Sequence, residues 1–85
     1  MGVTEDFSAA QERVQTLRTR PSNDTLLELY SLFKQATAGD AQGKRPGLLD
    51  LKGRAKFDAW TGRKGVSKDA AMQQYVALVN RLLAG

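Results

Sequence analysis

The sequence contains no cysteine and no histidine. The first absence removes disulfides, thiolate nucleophiles and sulfur-ligated metals. The second removes the commonest general base and the commonest transition-metal ligand. Ser–His, Cys–His and zinc-hydrolase chemistries are thereby excluded, and no metal or cofactor is expected. No apolar run approaches the roughly 20 residues of a membrane-spanning helix. The start, MGVTEDF, has no signal-like apolar stretch, and Asp6 stands where a myristoylation pattern requires Ser or Thr. A soluble, cytoplasmic protein is the expectation.

What is present suffices for one small domain over residues 1–85, with an apolar fraction of 41%. The net charge of +4 favours anionic partners without naming them. Between Lys44 and Lys64 the excess concentrates: Lys44, Arg45, Lys52, Arg54, Lys56, Arg63 and Lys64 face only Asp50 and Asp58. Taken alone, such a stretch is most simply a solvated basic face.

Apolar periodicity predicts four helices and no strand. In the first, Phe7, Ala10, Val14 and Leu17 recur at helical spacing, and the chain leaves the helix before Thr19-Arg20-Pro21. Ser22 supplies an N-cap for the second, which runs to about Ala38 and stops at Gly39. At about 100° per residue, Leu26, Leu29, Leu32, Phe33 and Ala36 form its apolar arc. Tyr30 borders that arc, Lys34 and Leu27 lie just beyond, and Asp24, Glu28 and Gln35 fall on the far, solvated side. The third helix, roughly Leu51 to Lys64, shows a small-residue packing face of Leu51, Ala55, Ala59 and Gly62. Lys52, Lys56 and Arg63 border it, followed by Trp60, and Gly53 and Gly62 make it the weakest helix. Ser67 caps the fourth, Val66 and Ala71 are spaced as a hydrophobic staple, and a wide arc centred near Tyr75 buries the most surface.

Nucleotide motifs fail. In GDAQGKRPG the glycine spacing is too short for a phosphate-binding loop, and Arg45 replaces the required Ser or Thr. Asp50 and Asp58 read as helix-end and surface charges, not a catalytic pair. Singly, Tyr30 with Lys34 reads as a core-edge tyrosine beside a snorkelling lysine, Lys56 as a surface lysine and Tyr75 as core. Together, two boundary lysines, two tyrosines and a boundary tryptophan suggest a groove in which rings stack on a purine and ammonium groups hold a phosphate.

Three blocks carry a family signature: RPSNDTLLELYSLFKQATAGD (20–40), RPGLLDLKGRAKFDAW (45–60) and KGVSKDAAMQQYVALVNRL (64–82). With the order YxxxKQAT, GD, RPG and a later tyrosine, the sequence resembles a small acyl-CoA-binding protein over nearly its whole length. The resemblance implies an all-α, up-down-down-up four-helix bundle. It also implies non-catalytic binding of medium- to long-chain fatty acyl-CoA thioesters by a monomeric intracellular carrier and pool former. Carried over, Tyr30, Lys34 and Lys56 match positions gripping the 3′-phosphate of the CoA adenosine, and Tyr75 matches the tyrosine at the nucleotide head. Phe7, Ala10, Leu27 and Phe57 match positions lining the acyl or head-group groove.

Gln15 stands where many members carry lysine, Phe57 replaces a more common tryptophan, and Gly62 loosens the end of the third helix. Transient contact with acyl-CoA-using enzymes or a membrane surface fits the resemblance, and no nucleic acid partner is expected. Two other readings differ in their consequences. A nucleic-acid-binding module would show salt-sensitive polyanion binding without need of an acyl chain. A peripheral membrane bundle would bind anionic vesicles without acyl-CoA.

Overall fold

In the computed structural model, which describes residues 2–85, three of four helices start on a side chain suited to the task. Helix α1 spans Val3–Arg13, α2 Asn23–Ala38, α3 Leu51–Thr61 and α4 Lys68–Ala84. The Ser22 hydroxyl accepts from the Thr25 N–H at 3.2 Å, and the Ser67 hydroxyl accepts from Ala70 N–H at 3.0 Å. The Asp50 carboxylate accepts from the Gly53 N–H at 2.9 Å, capping α3. Each satisfies one of the orphan donors that open a helix. Helix α2 ends at Gly39, whose φ of 82° is open to glycine and strained for other residues.

The first helix is shorter than its apolar stripe suggests. It ends at Arg13 and tightens into a 3-10 turn over Val14–Thr16, which leaves Leu17 outside it in extended backbone. Helix α3 likewise stops at Thr61, and residues 62–65 continue as turns to Gly65, where φ is +91°.

The buried core joins α1, α2 and α4. Phe7 and Ala10 come from α1, Leu29, Leu32 and Ala36 from α2, and Ala71, Tyr75, Leu78 and Val79 from α4. Helix α3 contributes no buried residue and packs against α2 alone among the helices. Leu51, expected on its packing face, is 75% exposed. The side chains of α3 that meet α2 include Lys56, in the middle of the helix, and Trp60, near its end.

Pairings along the helices give their directions. Phe7 meets Tyr75, while Leu17 and Leu82 line one cleft beyond, so α1 and α4 run parallel. Gln35, near the end of α2, bonds the Val66 carbonyl just before α4, so these two are antiparallel. Tyr30 meets Lys56 and Lys34 meets Trp60, the same order along both chains, so α2 and α3 are parallel. The course is up, down, down, up. A parallel α2–α3 pair needs a return as long as the helix, and residues 39–50 provide it: twelve residues reach up to roughly 40 Å, against about 24 Å for α2.

Gln35 departs from its expected place on the solvated side of α2. It is 1% exposed. Its Nε2 donates to the Asp40 carboxylate at 2.7 Å and to the Val66 carbonyl at 2.8 Å. Asp40 also accepts from the Gly65 N–H at 3.0 Å. That bond first, then the Gln35 amide, holds the Asp40 carboxyl below its ordinary range, with the Lys64 charge adding to them. A polar knot thus fastens the end of α2 to the start of α4.

Candidate functional site

The long α2–α3 connection and the parallel packing bring one face of α2 against the middle of α3. Tyr30 and Lys34, one turn apart on α2, are half-buried there. From α3 come Lys56, which is exposed, and Phe57 and Trp60, which are half-buried. The Lys34 ammonium lies 4.9 Å from the Trp60 ring centroid, and the Lys56 ammonium 5.4 Å from the Tyr30 ring centroid. Phe57 stands edge-on to Trp60 with 6.4 Å between centroids. Each cation is therefore held by the negative face of a ring, at ranges where that attraction counts. Among the described residues neither lysine has a carboxylate within ion-pair range; the pair that does form is Arg45–Asp58. Two positive charges are oriented yet unneutralised.

Two polar contacts hold α3 in place. The Trp60 indole N–H donates to the Gly39 carbonyl at 2.7 Å, tying α3 to the end of α2. The Arg63 Nε donates to the Ser31 hydroxyl at 3.0 Å, and that hydroxyl donates to the Glu28 carbonyl at 2.8 Å. Arg45 adds a two-pronged contact to Asp58 at 2.9 and 2.6 Å, fixing the connecting loop on α3. This pairing lowers the Asp58 pKa and raises that of Arg45, chiefly through the hydrogen bonds themselves.

The other expected residues divide in two. Phe7, Ala10 and Tyr75 are buried in the core. Phe7 lies edge-to-face on Tyr75 at 5.1 Å and tilted against Phe33 at 6.1 Å. Burial pushes the Tyr75 phenol above its ordinary pKa, so it stays protonated. Leu27 lies on another side of the α2–α3 joint. There it lines an open cleft of about 340 Å³ with Asp24, Glu28, Ser31, Ala59, Gly62 and Arg63. The structure thus gathers Tyr30, Lys34, Lys56 and Phe57, leaves Phe7, Ala10 and Tyr75 in the core, and places Leu27 along the joint.

Trp60 is the residue whose part the sequence understates. Its border position was visible, but not that its ring carries Lys34 while its N–H bonds α2. Chemically, the face offers ammonium donors, aromatic surfaces and a phenol hydroxyl, a set suited to an anion joined to a flat or apolar group. Among the described residues there is no group of three carboxylates suited to a metal ion.

The family model described as Acyl CoA binding protein matches residues 4–79. The chain belongs to this family. The acyl-CoA-binding protein homolog of Drosophila melanogaster is 54% identical over 82 residues, which is 96% of this chain and 95% of the relative. The acyl-CoA-binding protein homolog 1 of Caenorhabditis elegans shows the same identity over the same shares. The family's fold also matches: the crystal structure of Oryza sativa Acyl-CoA-Binding Protein 2 aligns at a TM-score of 0.93 and 43% identity. That alignment covers 98% of this chain and 92% of the rice chain.

Proposed function

We propose that the protein binds medium- to long-chain fatty acyl-CoA thioesters without altering them, as a monomeric, single-domain cytoplasmic carrier and pool former. The observation that supports this most is the pair of unneutralised ammonium groups, Lys34 and Lys56, each seated on a ring of the α2–α3 face. Membership of the acyl-CoA-binding protein family supports the same ligand. In this reading Tyr30, Lys34 and Lys56 hold the adenosine 3′-phosphate, with Tyr75 behind them at the nucleotide head. Phe7, Ala10, Leu27 and Phe57 line the groove for the rest of the ligand. Each buried methylene of the chain adds about 0.8 kcal/mol, so the thioester is held far better than either half.

Calorimetric titration with palmitoyl-CoA, free CoA and palmitate tests the reading. Tight 1:1 binding of palmitoyl-CoA, with far weaker binding of both fragments, is expected; comparable weak binding of all three would refute it. Lys34→Ala and Tyr30→Phe are each expected to weaken palmitoyl-CoA binding by about 1–3 kcal/mol. Arg81→Ala, on the exposed last turn of α4, is expected to leave affinity unchanged.

A further inference from the structure

Leu17 closes the apolar stripe of the first helix in sequence, yet it lies beyond both α1 and the 3-10 turn that follows. It is half-buried and takes no part in the core cluster. It lines instead a cleft of about 570 Å³ between residues 16–21 and the end of α4. Leu17 and Pro21 supply apolar surface on one side, Leu82 and Leu83 on the other. Arg18 and Arg20, both exposed, also line it.

Neither guanidinium is neutralised. Among the described residues no carboxylate lies within ion-pair range of Arg18 or Arg20; the pair that forms is Arg45–Asp58. Arg20 gives one of its five donors to the neutral Asn23 side chain, at 3.2 Å. The cleft shares no residue with the face that carries Tyr30, Lys34 and Lys56. At 1.5 Å per residue, the eleven residues from Asn23 to Lys34 set the two apart by about 16 Å along α2.

A recess of this size, apolar in its walls with a few charged groups, is of the kind that holds small molecules. Guanidinium forks grip oxyanions through paired N–H donors, a geometry that lysine lacks. The charge of the cleft therefore selects an anion, and its leucines select one with an apolar body.

We propose that the cleft between residues 17–21 and the end of α4 is a second ligand site for a small amphipathic anion. The apolar body lies among Leu17, Pro21, Leu82 and Leu83, and the oxyanion meets Arg18 and Arg20. The site fills whether or not acyl-CoA is bound.

Titration of isotope-labelled protein with anilinonaphthalene sulfonate, followed by amide chemical shifts, tests this. Shifts are expected to concentrate at residues 17–21 and 82–85. N-phenylnaphthylamine, the same ring system without the sulfonate, is expected to bind about tenfold or more weakly. Arg18→Gln/Arg20→Gln is expected to weaken the sulfonate by a similar factor while leaving urea unfolding unchanged, since both side chains are exposed. One equivalent of palmitoyl-CoA is expected to leave the sulfonate affinity as it was. Shifts centred on the α2–α3 face, or displacement by palmitoyl-CoA, would overturn the proposal by placing the anion in the face already described. Equal binding of the two compounds, or of the sulfonate by the double variant, would overturn it as well. A double variant that only loses stability would leave the arginines to offset the negative end of α4.

Discussion

Exchanging one NH2 group for an oxygen, in Gln35→Glu, is expected to cost about 3–5 kcal/mol of folding stability at neutral pH. The side chain is fully buried, and its Nε2 is the donor to both the Asp40 carboxylate and the Val66 carbonyl. A glutamate there has no donor to offer and sets a second carboxylate against Asp40. The new carboxylate would be enclosed where Gln35 is, facing the Val66 carbonyl and the exposed Asp40 carboxylate with no donor toward either. The new carboxyl would have a folded pKa above its unfolded value of about 4.3. Its penalty is therefore full above the folded value and disappears as pH falls below the unfolded one. Urea unfolding of wild type and variant should show the gap narrowing in acid; a gap constant with pH would mean that the charge is not the cause. Wild-type protein carries the opposite dependence at Asp40. Its folded pKa is depressed, so the stability it lends is present above the ordinary carboxylate range and is lost as pH falls through the lower folded value.

Tyr75→Ala is expected to remove about 3–5 kcal/mol as well, by opening a cavity where α1, α2 and α4 meet. The ring is buried and stacks edge-on to Phe7, which in turn touches Phe33. Domain stabilities of about 5–15 kcal/mol leave little after such a loss, so ligand binding by this variant would fall with folding. Tyr75→Phe separates the two contributions. It keeps the ring, so unfolding is expected to shift by no more than about 1 kcal/mol. A palmitoyl-CoA affinity that nonetheless drops assigns the hydroxyl a contact with ligand, whereas unchanged affinity leaves Tyr75 to the core alone.

Both variants bear on what could be read from residue order. The caps at Ser22 and Ser67 and the apolar arcs of α2 and α4 were legible because each follows from contacts within a few residues. The arc of α2 marked one covered face, but α2 packs against both α3 and α4, so polar side chains outside the arc are also enclosed. That is why Gln35 and Ser31 are buried although the wheel set Gln35 in solvent. Leu51 failed in the other direction: the spacing placed it with Ala55 and Ala59, but periodicity cannot show that the helix's first residue is left uncovered. Of the candidate site, Tyr30 and Lys34 were legible as neighbours on one helix. Their pairing with Lys56 and Trp60 depends on the course of the α2–α3 connection, which no local pattern encodes.

Trp60 is the only tryptophan in the chain, so the protein's red-most ultraviolet emission originates from one indole. That indole has a cation 4.9 Å from its ring centre and a carbonyl on its N–H, both of which set the energy of its excited state. An anion that draws the Lys34 ammonium away removes a nearby positive charge and recolours the emission without any attached dye. The geometry that secures α3 therefore also furnishes a native optical gauge of occupancy, with Tyr30 close by as an energy donor.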